Sequence, residues 1–399
     1  MGIKNTFENV QIKNPFQNKK KPYKCPFCLH EHTKEEFSYA TTRIPGTNRK
    51  IISSVKCPEC QERLPHSFFE DDTKIISIIG DRYVGKTYYA ISLINFLETN
   101  STLHRLGINS ELIGDKETKD RIKQLQALKR AGQEFDQTKR VESKAAWVLK
   151  ITCKGKSIYI SFFDNAGEGF AEREEILNDI EQANKHNLVH ADALLFLFAP
   201  YQLNCFNDIV GNYCKKYGLG RNRFGRPYPK TESSIRNDFV IQVPLRQVIS
   251  NVKDLFVDLI NDAGEKSKIN AFLSRLISKR VNIPTAFCLT QYDVIKDQFV
   301  YQIPEDDKDD EFEMEYFKDG EFDYSIIDSY SKEIHKMLYE DGKMYDLKNA
   351  IEPYFVNYKY FTTQSIERND EDKQTFRDMP RGCTLPIIWL FKELNIVRL

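Results

Sequence analysis

Gly80-Asp81-Arg82-Tyr83-Val84-Gly85-Lys86-Thr87 has the form G-x-x-x-x-G-K-[ST], the spacing of a loop that wraps a phosphate. Lys74-Ile75-Ile76-Ser77-Ile78-Ile79 comes before it, a short β-branched run that reads as a buried strand. After it, Ala90, Leu93, Ile94 and Leu97 fall on one helical face. Strand, glycine loop and helix are the setting the motif requires. In that setting the loop amides turn inward as an anion nest, and the helix N-terminus adds unpaired donors and partial positive charge. Gly80 and Gly85 permit close backbone approach. Lys86 is placed to reach the outer phosphates, and the Thr87 hydroxyl to ligate Mg²⁺.

The chain has 399 residues, enough for two or three domains or one elaborated domain. Lys+Arg and Asp+Glu both number 58, so net charge does not favour nucleic acid or membrane as a partner. No run approaches a membrane span, and the polar N-terminus has no signal-peptide core; a cytoplasmic location is expected. Met1-Gly2-Ile3-Lys4-Asn5-Thr6 fits the loose myristoylation pattern, with Lys19-Lys20-Lys21 as a basic second signal. That pattern is short and common, and a flexible basic tail over residues 1–22 is the plainer reading.

Four of the nine cysteines form two C-P-x-C knuckles, Cys25-Pro26-Phe27-Cys28 and Cys57-Pro58-Glu59-Cys60. The spacing fits a zinc ribbon over residues 23–73, with a β-hairpin between the knuckles. Four thiolates close a tetrahedral site, so the Zn²⁺ is read as structural. So short a segment would draw its folding free energy from the metal. His30, His32 and His66 are read as surface residues. Paired knuckles favour zinc over thiol redox chemistry. Cys153 and Cys288 lie in strand-like runs and are read as buried small hydrophobes.

Residues 101–143 read as polar and helix-prone without a clear core face. Residues 146–152 and 157–163 read as two strands joined by a turn at Lys154-Gly155-Lys156. The second strand ends in Asp164-Asn165-Ala166-Gly167-Glu168. An acid at the end of a strand beside the phosphate loop is where Mg²⁺ needs its second anchor, and Gly167 can bring its N–H to a γ-phosphate. A helix is predicted over residues 171–183. Residues 192–199 read as a central strand buried on both faces, and 201–243 as an irregular insertion. Two helices are predicted next, the first with Leu245, Val248, Ile249, Val252, Leu255, Phe256 and Leu259 in register, the second carrying Phe272, Leu273, Leu276 and Ile277. A strand over 284–289 delivers Thr290-Gln291-Tyr292-Asp293. A second insertion, 296–325, includes an acid-dense stretch from Glu305 to Asp323, read as a solvated loop. A strand over 355–361 and helices near 326–338 and 385–394 complete the chain.

The phosphate loop, D-x-x-G at Asp164–Gly167 and T-Q-x-D at Thr290–Asp293, in this order, resemble the motif set of the TRAFAC-class (Ras-like) GTPases across residues 74–399. The resemblance implies GTP or GDP with Mg²⁺, held by Thr87 and Asp164. It implies that Asp293 takes guanine N1 and N2, with Gln291 standing where Lys is usual. It implies that Thr363, in Thr362-Thr363-Gln364, offers a backbone N–H to guanine O6. Thr138, or alternatively Thr118, would be the switch threonine. Glu168 takes the place of a water-positioning Gln or His. Arg82 would act as a built-in arginine finger or obstruct a partner's, and Tyr83 fills a position that is often small. With the knuckles and Pro386-Ile387-Ile388-Trp389-Leu390, the chain also resembles bacterial double-GTPase-type proteins of conflict and antiviral defence loci.

The expected fold is α/β: a three-layer P-loop NTPase domain over 74–399 with a mostly parallel sheet and one antiparallel strand, plus the N-terminal zinc ribbon. The expected function is a GTP-binding and GTP-hydrolysing switch that regulates a protein effector. The alternatives are a nucleotide-dependent nucleic-acid-binding module that reads through the ribbon, or a GTP-binding scaffold with negligible hydrolysis.

Overall fold

The computed structural model describes residues 22–43, 46, 50–80, 84–133, 147–153, 155–166, 187–188, 190–221, 227–228, 249–250, 276–277, 280–298, 303, 305–306, 312, 315–318, 321–371 and 375–396. At the N-terminal end, β1 (Tyr23–Lys24) and β2 (Glu31–His32) flank the first knuckle as an antiparallel pair. β3 (Ser38–Arg43), β4 (Lys50–Lys56) and β5 (Arg63–Pro65) form a three-stranded antiparallel sheet. The β3–β4 hairpin lies between the two knuckles, as the long spacing predicts.

β6 (Asp72–Gly80) is buried from Ile75 onward and occupies the middle of a seven-stranded sheet. Around it lie β7 (Ile108–Ile113), β8 (Trp147–Cys153), β9 (Lys156–Ala166), β10 (Ala193–Phe198), β11 (Thr285–Leu289) and β12 (Tyr358–Thr362). The order is β12-β11-β10-β6-β9-β8-β7. β12, β11, β10, β6 and β9 are parallel, and β8 runs against both β9 and β7. This is a mostly parallel α/β sheet with one reversed strand at the predicted hairpin. Every residue of β10 and β11 is buried, which a parallel strand covered on both faces requires.

The strand period of two divides β6 between two layers. Ile76 and Ile78 join the main core with α1 (Lys86–Thr99). Ile75 joins Phe163 and the ribbon residue Leu29 in a separate cluster. The ribbon therefore packs directly on the sheet. Phe68 lies edge-on to Tyr159 at 5.8 Å, and the Lys150 amine donates to Ser67 Oγ at 2.8 Å. Phe37, Phe68, Phe69, Val148 and Tyr159 share one core.

Four sequence expectations change. Residues 101–143 hold α2 (Ser101–Arg105), the edge strand β7 and α3 (Lys116–Arg130), with 134–146 outside the described residues. β7 is half polar, and α3 buries only Ile122 and Lys129, the latter through an ion pair with Asp378. Neither element carries its own apolar signature. The stretch read as irregular from 201 contains α4 (Asn207–Tyr217), closed by Gly218 at φ +67°. Leu276–Ile277, expected in a helix, is a two-residue strand paired with Arg280–Val281, and Val281 pairs in turn with Phe355.

The acid-dense stretch is not wholly solvated either. Asp306 is buried, and its carboxylate accepts from the Gly382 and Cys383 amides at 3.1 and 2.7 Å and from the Thr384 hydroxyl at 3.3 Å. It satisfies donors in the turn that leads into the C-terminal helix, Leu385–Glu393. Phe312, Tyr316 and Phe322 from the same stretch are core residues.

Candidate nucleotide-binding site

Five parallel strands end along one edge of the sheet. Ligands of open α/β sheets bind outside the carboxyl ends of the strands, where connections leave in opposite directions. Here β6 is that point, because β9 lies on one side of it and β10 on the other.

β6 ends at Gly80 and α1 begins at Lys86, giving the predicted strand, loop and helix. A Cβ on Gly80 would sit 2.7 Å from the Leu197 carbonyl oxygen and 2.9 Å from Val84 Cγ2, so only glycine fits beside β10. Gly85 stands at φ +91° and its carbonyl accepts the Tyr89 amide at 2.8 Å, which starts the helix. The Lys86 ammonium donates to the Gly80 carbonyl at 2.8 Å and so reaches back from the start of α1 to the end of β6. Thr87, next in the helix, is half-buried. Asp81, Arg82 and Tyr83 lie outside the described residues, as do Thr138, Gly167, Glu168, the helix expected over 171–183 and nearly all of 245–259.

Asp164 lies in β9 with its backbone in register with Ile78, two residues short of Gly80. The strand position expected of a magnesium carboxylate is therefore next to the loop. Thr118, the other switch-threonine candidate, is in α3, where its amide donates to the Asp115 carboxylate as an N-cap.

On the other side of β6, β11 runs into Thr290 and Gln291. The Thr290 amide and hydroxyl both donate to the Phe198 carbonyl, at 2.8 and 3.1 Å. The Thr363 amide donates to the Leu289 carbonyl at 2.9 Å, and the Thr363 carbonyl accepts the Tyr292 amide at 3.2 Å. These bonds fasten the T-Q-x-D turn to the ends of both flanking strands. Gln291 adopts φ +57°, a conformation that costs a side-chain-bearing residue about 1 kcal/mol or more and persists only where its surroundings hold it. The short helix α5 (Tyr292–Ile295) follows and carries Asp293. β11 lies two strand spacings from β6, about 10 Å. That distance matches the reach from the phosphates of a nucleotide to its base.

Asp293 is half-buried, and its Oδ2 accepts the Tyr213 hydroxyl of α4 at 2.7 Å. Burial pushes its carboxyl up to about 6; the Tyr213 hydrogen bond and the Lys296 ammonium oppose this, while Glu367 adds to it. Lys296 and Glu367 pair with each other at 2.8 Å. Glu367 belongs to β13 (Gln364–Arg368), which forms a hairpin with β14 (Phe376–Arg381) directly after Thr363. The sequence reading missed Tyr213 and this hairpin. A signal for α4 was present: Val210, Cys214 and Tyr217 are its buried residues, spaced i, i+4, i+7 and followed by Gly218.

The four knuckle cysteines converge. Their sulfurs lie within 4.8 Å of one another, with Cys25 to Cys60 at 3.7 Å and Cys28 to Cys57 at 3.8 Å. These distances exclude disulfides and match the edge of a zinc tetrathiolate, about 3.8 Å for bonds of about 2.3 Å. The knuckles repeat one turn. Leu29 donates to the Cys25 carbonyl and Gln61 to the Cys57 carbonyl, with φ of 64° and 63°. Among the described residues the cluster holds cysteines alone; His30 is exposed, and His32 and His66 are half-buried. Cys288 is buried, whereas Cys153 is half-buried.

No helix of the described residues is long and apolar enough to cross a membrane. No protein-family model and no curated protein matches the chain. Among solved structures it is similar to nucleolar GTP-binding protein 1 of Plasmodium falciparum, at 11% identity over 82% of this chain and 89% of that chain, with a TM-score of 0.26. A TM-score that low supports no conclusion about fold or function.

Proposed function

We propose that this chain binds a guanosine nucleotide with Mg²⁺ along the carboxyl edge of its sheet and hydrolyses GTP as a switch acting on partner proteins. One observation carries the reading: a phosphate-loop lysine and a fastened, half-buried aspartate stand on the same edge, two strands apart. In this reading Lys86 exchanges its bond to the Gly80 carbonyl for phosphate oxygens. Thr87 and Asp164 hold Mg²⁺, with Gly80, Asp81, Arg82, Tyr83, Val84 and Gly85 as the cradle. Gly167 and Thr138 report on the γ-phosphate, ordering their segments in the triphosphate state. Water attacks the γ-phosphate with help from positioning and charge, in which Glu168 and Arg82 are the candidate participants. Thr290 and Gln291 set the turn that presents Asp293 to guanine. The Thr363 amide is engaged by Leu289, so Thr363 serves as the buried floor of that turn. The setting in a bacterial defence system rests on the family resemblance alone.

Zn²⁺ in the ribbon is proposed as structural. The burial of Phe37, Phe68 and Phe69 against the sheet supports that role over nucleic-acid reading, since stacking on bases needs exposed rings.

Asp293→Asn tests the base assignment. An amide presents a donor where guanine also donates, but xanthine offers an acceptor there. The variant is expected to lose at least about tenfold in GTP affinity and to gain XTP binding. Competition binding with GTP, XTP and ATP reads this out. An unchanged GTP preference contradicts the assignment. Guanine recognition needs the ionised carboxylate, so wild-type GTP affinity is also expected to fall as pH drops through about 6.

A further inference from the structure

We propose that Tyr213 is the positioning residue that holds Asp293 in the orientation that selects guanine over bases lacking the N2 amine. This rests on the nucleotide reading above and adds a residue from outside its motifs.

The Tyr213 hydroxyl donates to Asp293 Oδ2 at 2.7 Å. A carboxylate offers about four lone-pair sites, so one phenol leaves room for the adjacent N1–H and N2–H donors of guanine. What it removes is rotation. An aspartate turning freely about its terminal torsion presents its oxygens out of the plane of a base for much of the time. Gln291, its neighbour in the turn, brings no charge to help hold a base.

Tyr213 is itself held. Its ring lies 4.7 Å from that of Tyr217, one turn further along α4. The Tyr217 hydroxyl donates to Asp370 at 2.6 Å, and Lys216 pairs with the same carboxylate at 2.8 Å. The Arg368 guanidinium stands 6.0 Å over the Tyr217 ring and 4.5 Å over Phe376. α4 is thereby fastened to the β13–β14 hairpin, and the phenol that meets Asp293 is fixed from outside the sheet. An ordinary packing role for Tyr213 requires none of this to bear on base choice, and that difference is measurable.

The groups facing Asp293 are Tyr213 from α4, Lys296 from the end of its own helix α5 and Glu367 from β13. Tyr213 bonds to the ionised form, so its removal raises the pH at which the carboxylate is lost. The conservative substitution is Tyr213→Phe, which keeps the ring and its contact with Tyr217.

The experiment uses the full chain in three forms: wild type, Tyr213→Phe and Asp293→Asn. Each is titrated with GTP, ITP and ATP between pH 5 and 8 (ITP lacks only the N2 amine). The expected result for Tyr213→Phe is a GTP-to-ITP affinity ratio reduced roughly tenfold and a pH midpoint of GTP binding above that of wild type. A ratio and a midpoint both equal to wild type, while Asp293→Asn loses GTP preference, overturn the role of Tyr213 and leave the base assignment intact. A wild type that does not prefer GTP, or an Asp293→Asn variant that still does, overturns the base assignment and this inference with it.

Discussion

A chain carrying Cys25→Ser and Cys57→Ser is expected to purify without zinc and to melt well below the wild type. The two substitutions remove one ligand from each knuckle, and the remaining pair, Cys28 and Cys60, cannot close a tetrahedral site. Structural zinc sites contribute about 10–16 kcal/mol of apparent binding free energy in isolated fingers. The ribbon keeps some of its order without metal, because Phe68 and Phe69 still bury against Val148 and Tyr159. Leu29 is the sensitive point. It sits at positive φ only because the first knuckle turns there, and it covers Ile75 and Phe163. Those two residues belong to the strand that enters the glycine loop and the strand that carries Asp164. Removing the proposed zinc is therefore expected to loosen the sheet beneath the candidate site, and nucleotide affinity to fall together with stability. Zinc quantification, thermal melting and nucleotide titration on one sample check this. A zinc-free variant with wild-type melting contradicts the structural role.

Lys86→Ala is expected to weaken GTP binding roughly a hundredfold while leaving the fold intact. Charge-assisted hydrogen bonds contribute about 1.5–3 kcal/mol each, and in the proposed reading the ammonium makes two to the outer phosphates. Within the chain the ammonium donates to the Gly80 carbonyl. Losing that charge-assisted bond is expected to lower stability by no more than about 1.5–3 kcal/mol, which leaves the chain folded. Equilibrium binding and melting on the same preparation separate the two effects. Equal GTP affinity in wild type and variant removes Lys86 from the site.

The parts of the fold legible in the sequence are those where chemistry restricts the residue type. The Ile-rich strand and the glycine loop could be placed because only glycine tolerates the Leu197 carbonyl at Gly80 and the dihedral at Gly85. The knuckles could be paired because two C-P-x-C turns offer four thiols to one ion. β10 was legible because a strand buried on both faces is apolar at every position. β7 and α3 were not, since their ordering comes from partners far along the chain: β8 for one, Asp378 for the other. Asp306 reads as one acid among many until the turn before the last helix supplies its donors. Tyr213 has the same character. Nothing near it in sequence announces Asp293, eighty residues away, and only the crossing of α4 and α5 brings them together.

The site divides in the same way. Lys86 and Asp293 could be named from motifs, and the shared sheet edge supplies the relation between them. The fastening of the Gln291 turn by Phe198, Leu289 and Thr363 is a property of strand register, which motif spacing does not encode.

The most direct measurement is a side-by-side equilibrium titration of the purified full chain with GTP and ATP in the presence of Mg²⁺. A pocket that joins the lysine loop to a base-reading aspartate predicts saturable GTP binding, with ATP weaker by at least about tenfold. No binding of either nucleotide, or equal affinity for both, contradicts it.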